Sequence, residues 1–117
     1  MAGRVVYLVE DLFFTVKIQS TAAQLGIDVE RAADARALHA AAAGAELVIV
    51  DLRLPAALDA LALLAGDAAT AAVPSVGFVD HENVAAMDAA RAHGCGTVLS
   101  KRSFSTKLPE LLTRRPA

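Results

Sequence analysis

Charged residues stand at the ends of three short apolar runs, an arrangement that could hold a metal ion beside a phosphoryl group. Glu10 and Asp11 follow the first run, Asp51 follows the second and Lys101 follows the third. Short all-apolar runs separated by helical stretches are typical of buried parallel strands, and functional groups gather at the carboxyl ends of such strands. We therefore expect two or three carboxylates and one ammonium to meet at one edge of a sheet, where they would suit a divalent cation and a small charged group.

The elements that would position these residues alternate between strand and helix patterns along the chain. The predicted strands are 4–9, 27–31, 47–51, 73–79 and 97–100, and the predicted helices are 12–25, 34–43, 55–66, 81–93 and 109–114. Asp34 is expected to cap the second helix, and Pro109 to open the last one. Five strands alternating with five helices predict a doubly wound α/β fold with a parallel sheet, formed by residues 1–117 as one domain.

Composition excludes several classes of function. The chain has 117 residues, of which 56% are hydrophobic and 21% charged, so it is expected to fold as one domain rather than stay disordered. A formal net charge of −2 and basic clusters of only two residues argue against nucleic-acid binding. No apolar run reaches about 18 residues, so no membrane span is expected. The one cysteine, Cys95, rules out an internal disulfide and fits a protein of the reducing cytoplasm.

Three motifs, taken in order over essentially the whole chain, suggest a family. They are Val-Glu-Asp at 9–11, Asp-Leu-Arg-Leu-Pro at 51–55, and Ser-Lys at 100–101 ahead of Phe104. In the order and spacing of these motifs the chain resembles the receiver domain of two-component response regulators, the flavodoxin-like module of the chemotaxis response regulator. No single motif is specific. The resemblance implies a flavodoxin-like, doubly wound, five-stranded parallel sheet with five helices.

The resemblance also implies a role for each residue of the acidic set. Asp51 would be the phosphoacceptor, and Lys101 would pair with a phosphoryl oxygen. Asp11 would bind Mg²⁺ directly and Glu10 through water, and the backbone carbonyl of Arg53 would complete the protein's share of ligands. Mg²⁺ prefers such oxygen ligands and keeps several waters. The alternative is that these are ordinary polar residues where strands meet solvent, with Asp11 merely capping a helix.

Several positions depart from the receiver pattern. Val79 aligns with the Thr or Ser whose hydroxyl bonds the phosphoryl group, so a hydrogen bond of about 1.5–3 kcal/mol is missing. Moving the alignment by one residue offers Asp80, which cannot donate when ionised. Val98 aligns with the switch aromatic and cannot swing as a large ring does. Arg102 replaces the proline that usually follows the lysine, so the bond before it is expected to be trans.

Two residues after the fourth strand are expected to modulate the site. A carboxylate at Asp80, where the family usually has a small residue, would repel a phosphoryl group by about 3 kcal/mol at an effective dielectric constant near 20, or would add a ligand to the metal. His81 lies near the acidic set and could influence it.

The adjacent Phe13 and Phe14 cannot both face the sheet equally, so one of them is expected to be exposed, unless both fold onto neighbouring helices.

These observations lead to a functional hypothesis of an atypical, single-domain response regulator in a two-component phosphorelay. Mg²⁺-assisted transfer from a phosphohistidine to Asp51 would be followed by hydrolysis, with little conversion into movement. The implied partners are a histidine kinase or phosphotransfer protein at helix 1 and a downstream protein at the helix 4–strand 5–helix 5 face. Any enzyme activity would be limited to self-phosphorylation and dephosphorylation.

Three alternatives stay open at the level of sequence. The chain could be a pseudo-receiver that binds a partner protein independently of phosphorylation. It could be a small phosphohydrolase with an aspartyl nucleophile, although that class would want a second Asp where this chain has Arg53. It could also be a piece of a larger regulator, because the predicted last helix is short.

Overall fold

The computed structural model describes residues 4–113 and contains a single five-stranded sheet with helices on both faces. The elements are β1 Arg4–Leu8, α1 Leu12–Leu25, β2 Asp28–Arg31, α2 Ala35–Ala42, β3 Leu47–Asp51, α3 Ala57–Ala65, β4 Ser75–Val79, α4 Val84–Ala92, β5 Thr97–Ser100 and α5 Lys101–Thr113. The strand order is β2-β1-β3-β4-β5 and every pairing is parallel. The predicted doubly wound, flavodoxin-like fold is confirmed.

Apolar side chains fill both faces of the sheet, which explains why the central strands are apolar throughout. Val6 and Val50 pack in one cluster with buried residues of α2, α3 and α4. Val5, Tyr7 and Ile49 pack in the other cluster with buried residues of α1 and α5. Successive side chains of a strand point to opposite faces, so each central strand contributes to both clusters and holds the sheet rigidly between its helices.

The direction of winding changes between β1 and β3, and this change opens a crevice at their carboxyl ends. The strand after β1 lies on one side of it, and the strand after β3 lies on the other. In doubly wound folds, ligands bind in the crevice at such a switch point. Asp51 ends β3, and Glu10 and Asp11 follow β1. The topology therefore places these carboxylates at the position where the fold class binds its ligands.

Three aromatic rings tie α1 and α5 to β4. Phe78 and Phe104 stack with centroids 4.3 Å apart and planes 11° from parallel. Phe14 lies 4.8 Å from Phe78 and 5.9 Å from Phe104. Offset aromatic pairs of this kind stabilise by about 0.5–1.5 kcal/mol beyond the area they bury. The three rings form the anchor of the face that carries α1 and α5.

The prediction for the last helix was wrong, because α5 begins at Lys101 and not at Pro109. The buried side chains lie on one face of a continuous helix: Phe104, Leu108, Leu111 and Leu112. Burying such a side chain contributes about 1.5–3 kcal/mol, so four of them offset the roughly 3 kcal/mol cost of a proline inside a helix. Pro109 is exposed. The predicted end, Arg114, lies outside the described residues.

Other boundaries moved by a few residues. The fourth helix begins at Val84 and ends at Ala92, shorter than the predicted 81–93, because the Asn83 side chain accepts a hydrogen bond from the Ala86 N–H at 3.1 Å and caps it. The third helix begins at Ala57, and β4 begins after Pro74. The bounds of α1, β3 and β5 and the Asp34 cap are as predicted.

Two expectations about the chain as a whole can be compared with the structure. Residues 4–113 contain no cis peptide bond, which agrees with the trans bond expected before Arg102. Among the same residues, no helix combines the length and apolar character needed to cross a membrane.

Candidate functional site

The carboxylate of Asp51 lies at the centre of the candidate site. Asp51 is the last residue of β3 and is only 1% exposed. The register of the sheet pairs it with Phe78 of β4, so apolar strands flank it on both sides. Its Oδ1 accepts a hydrogen bond from the backbone N–H of Arg53 at 3.0 Å. A buried carboxylate that accepts this hydrogen bond still retains lone pairs for a cation or another donor.

The electrostatic surroundings of Asp51 link it to other charged residues of the crevice. Burial is the main cause that raises the pKa of its carboxyl group above the ordinary value. The backbone N–H and the guanidinium of Arg53, followed by the Lys101 ammonium, lower this pKa, and the Asp11 carboxylate raises it. Interactions of this kind act over short distances in a partly buried site. The structure therefore brings Asp11, Asp51, Arg53 and Lys101 to one edge of the sheet.

Asp11 serves two groups with its two carboxylate oxygens. Its Oδ1 accepts the backbone N–H of Phe14 at 3.2 Å and caps α1, while its Oδ2 lies 4.0 Å from Nη2 of Arg53. The capping role considered for Asp11 in the sequence is therefore real, and it leaves the second oxygen turned toward the other charges. Glu10, by contrast, is exposed to solvent.

The donor set fits a hydrated magnesium ion better than a cation stripped of its waters. Within residues 4–113, no three His, Cys, Asp or Glu side chains lie close enough together to enclose a metal. Mg²⁺ is usually held by one or two carboxylates and keeps several waters. Asp51 and Asp11 supply two carboxylates in a crevice where burial opposes the ionised form of Asp51. A cation there would relieve that cost, so the residues present are compatible with Mg²⁺.

Lys101 forms an ion pair that the sequence did not reveal. Its Nζ lies 3.3 Å from Oδ1 of Asp80. The sheet register pairs Val79 with Ser100, the last residues of β4 and β5, so the residues that follow these two strands lie side by side. The sequence predicts Asp80 to be a repulsive charge or a metal ligand, whereas in the structure it is the ion-pair partner of Lys101. The signal was present in the sequence, since each residue directly follows a predicted strand, but the lateral pairing of those strands was not known.

Of the two positions predicted to act in switching, Val79 ends β4 at this edge and is 1% exposed. Val98 pairs with Gly77 further back in the sheet and is partly buried against the cluster that includes α4. His81 precedes α4, and its imidazole lies 3.8 Å from the Glu82 carboxylate, with both side chains largely exposed. Phe14 is buried and Phe13 is 65% exposed, so the prediction that one of the two rings is exposed is correct.

The raised pKa of Asp51 leads to a prediction about stability. The folded protein binds the Asp51 proton more tightly than the unfolded chain does, so the ionised carboxylate opposes folding. Asp51→Asn should therefore raise the free energy of unfolding by about 1–2 kcal/mol at neutral pH without divalent ions. The gain should shrink as pH falls through the raised pKa and vanish below the ordinary value of 3.8.

Urea denaturation at several pH values measures this effect. Asp28→Asn is the matched control, because it makes the same chemical change at an exposed residue of β2 and should alter stability little. A loss of stability in Asp51→Asn at neutral pH would contradict the assigned environment of this carboxyl group.

Comparison with known proteins places the fold among receiver domains. No protein-family model matches the chain. No curated protein sequence matches it significantly. Among solved structures, the receiver domain of a Pseudomonas aeruginosa sensor histidine kinase, with a magnesium ion in its active-site cleft, has a TM-score of 0.82 at 17% identity and 98% coverage of both chains.

Two further structures show the same likeness. The chemotaxis protein CheY4 of Vibrio cholerae has a TM-score of 0.82 at 19% identity, over 99% of this chain and 100% of its own. The phosphorylated cyanobacterial phytochrome response regulator RcpA has a TM-score of 0.78 at 16% identity, over 96% of this chain and 89% of its own. The chain has the fold of response regulator receiver domains. Identities this low establish the fold and not the activity.

Proposed function

We propose that this protein is an atypical receiver domain of a two-component phosphorelay, with Asp51 as the phosphoacceptor. The observation that carries the proposal is the buried Asp51 carboxylate at the switch point of the sheet, electrostatically coupled to Asp11 on one side and Lys101 on the other. Such a set supplies a nucleophile, an acidic metal ligand and a fixed cation within one crevice, which are the parts that phosphoryl transfer requires.

The reaction needs few groups from the protein. A carboxylate oxygen of Asp51 would attack the phosphorus of a phosphohistidine, forming a P–O bond as the P–N bond breaks and the imidazole leaves with a proton from solvent. The Lys101 ammonium would donate a hydrogen bond to a phosphoryl oxygen. Water would later attack the phosphorus, releasing inorganic phosphate and restoring the carboxylate. A bound Mg²⁺, held by Asp11, Asp51 and the Arg53 carbonyl with Glu10 acting through water, would neutralise phosphoryl oxygens.

The known proteins of this fold support the chemistry without extending it to this chain. One has magnesium in its active-site cleft and another is phosphorylated. For this chain we propose the same cofactor, with a histidine kinase or phosphotransfer protein as donor. The apolar surface beside Asp11, formed by the exposed Leu12, Phe13 and Val16 of α1, would receive that donor. A downstream protein would bind the face formed by α4, β5 and α5.

A second candidate function is a pseudo-receiver that binds its partner independently of phosphorylation. Two observations favour it. Val79 offers no hydroxyl to a phosphoryl oxygen, and the Lys101 ammonium is already paired with Asp80. Under this alternative the domain would bind its partner equally well with and without a phosphoryl mimic.

Titration with Mg²⁺ and then beryllofluoride, followed residue by residue by nuclear magnetic resonance, tests the proposal. We expect binding, with shifts concentrated around Asp51 and Asp11 and little change in α4 and β5, because Val79 and Val98 lack the groups that transmit the signal. The absence of any beryllofluoride binding would favour the pseudo-receiver, and broad movement of α4 and β5 would refute the weakly switched form.

Val79→Thr should restore part of the missing response. Its hydroxyl would reach the phosphoryl mimic, so beryllofluoride should bind about tenfold more tightly and shifts should spread toward α4. Val76→Thr is the matched control, because it introduces the same hydroxyl in the same strand but on the opposite face of the sheet, in the cluster with α1 and α5. Both variants should lose about 1–3 kcal/mol of stability. Equal affinity in the two variants would count against this explanation of weak switching.

A further inference from the structure

The ion pair between Asp80 and Lys101 joins the ends of two neighbouring strands. Nζ of Lys101 lies 3.3 Å from Oδ1 of Asp80, and the Lys101 side chain is 26% exposed while that of Asp80 is 61% exposed. Lys101 is also the first residue of α5, where the helix dipole disfavours a cation and favours an anion. The Asp80 carboxylate therefore offsets an unfavourable charge at this helix start through its ion pair with the ammonium.

Two carboxylates, those of Asp80 and Asp51, interact with the Lys101 ammonium. Its ammonium influences Asp51 electrostatically, yet its direct ion pair is with Asp80. A second cation of the crevice, Arg53, also lies near a carboxylate, with Nη2 4.0 Å from Oδ2 of Asp11 and a side chain that is 57% exposed. An anion arriving at Asp51 would thus meet a lysine already neutralised by an internal partner.

We propose that Asp80 is a positioning residue that holds Lys101 in an internal ion pair, so that a phosphoryl group on Asp51 must displace the Asp80 carboxylate to reach the ammonium. This inference rests on the proposed function of Asp51 as phosphoacceptor. Asp80 occupies Lys101 in the resting protein and lowers its affinity for phosphoryl groups. The loop between β4 and α4 therefore reduces the affinity of the site for phosphoryl groups through the charge of Asp80 and not through a change of fold.

Asp80→Asn in the full chain tests the inference with beryllofluoride and Mg²⁺ as the probe. The side chain is largely exposed and Asn keeps its size, so the variant should fold. We expect beryllofluoride to bind about tenfold more tightly, because the competing ion pair and one nearby negative charge are both removed. Glu82→Gln is the matched control: it makes the same charge change two residues away, on a side chain that is 85% exposed and 3.8 Å from His81, and should leave affinity within about twofold.

A second measurement observes the lysine itself and does not depend on phosphoryl chemistry. In ¹H–¹⁵N spectra of lysine ammonium groups at low temperature and mildly acidic pH, the Lys101 signal should be visible in the native protein and in Glu82→Gln, and lost to solvent exchange in Asp80→Asn. An unchanged signal in Asp80→Asn, or an affinity gain no larger than that of Glu82→Gln, would overturn the inference.

The two proposals fail in different ways. Beryllofluoride binding in Asp80→Asn but not in the native protein would support a strong form of the inference. Binding in every variant with equal affinity would refute the inference and leave Asp51 as the acceptor. No binding in any variant would refute the proposed function and the competition with it, while the ammonium spectrum would still decide whether Asp80 holds Lys101.

Discussion

Replacing Asp51 with Asn is expected to abolish covalent phosphorylation by a small-molecule donor such as acetyl phosphate with Mg²⁺. The amide oxygen is a poor nucleophile, and the change also removes one of the two carboxylates that would hold the cation. Beryllofluoride affinity should fall at least about a hundredfold, since both the bond to the acceptor oxygen and the metal are affected. Intact mass after reaction with the donor reports the covalent step directly.

The controls for this variant separate chemistry from folding. Asp51→Asn is expected to be more stable than the native protein at neutral pH, so a loss of reaction cannot come from unfolding. Asp28→Asn should react like the native protein, because that side chain lies on β2, away from the switch point. Persistent phosphorylation of Asp51→Asn would show that another residue of the crevice, such as Asp80 or Asp11, accepts the phosphoryl group.

Phe104→Ala should have the largest effect on stability. The ring is fully buried and stacks on Phe78 at 4.3 Å, so its removal leaves a cavity between α5 and the sheet. Truncation of such a residue costs about 3–5 kcal/mol, which would lower the melting temperature of a domain of this size by more than about 10 °C. Urea denaturation followed by circular dichroism measures the loss.

Phe13→Ala is the matched control for this core substitution. Phe13 is 65% exposed, and its contact with the rest of the protein includes an edge-to-face approach to Phe14 at 5.1 Å. Its truncation should change stability by less than about 1 kcal/mol. Similar losses in the two variants would mean that the stacked rings are not the anchor of α5. If Phe13 belongs to the donor surface, its truncation should instead slow phosphoryl transfer from a protein donor.

Much of the architecture could be predicted because it is written in local patterns. Runs of four or five apolar residues are long enough to form buried strands and too short to form amphipathic helices. The segments between them have the periodicity of helices. Since parallel strands all end at the same edge, the residues that follow β1, β3 and β5 could be assigned to one rim without coordinates. The order of the elements thus predicts that Asp11, Asp51 and Lys101 lie at a common edge of the sheet.

A local signal gives the wrong boundary where a single residue conflicts with the periodicity around it. Pro109 predicts a helix start, although Phe104 and Leu108 already lie on the face that continues through Leu111. The burial of that face decides the length of α5, and burial depends on the sheet against which the helix packs. In the same way, the choice between Phe13 and Phe14 depended on which ring lay above Phe78.

The sequence by itself determined the class of fold, the direction of each strand and the rim at which the charged residues emerge, because these follow from short-range periodicity and the chirality of parallel crossovers. Only the tertiary structure decided which charges pair. The contact of Asp80 with Lys101 depends on β4 lying beside β5 in a register that aligns Val79 with Ser100. That register is set by packing among residues far apart in the chain, and no local pattern near either residue encodes it.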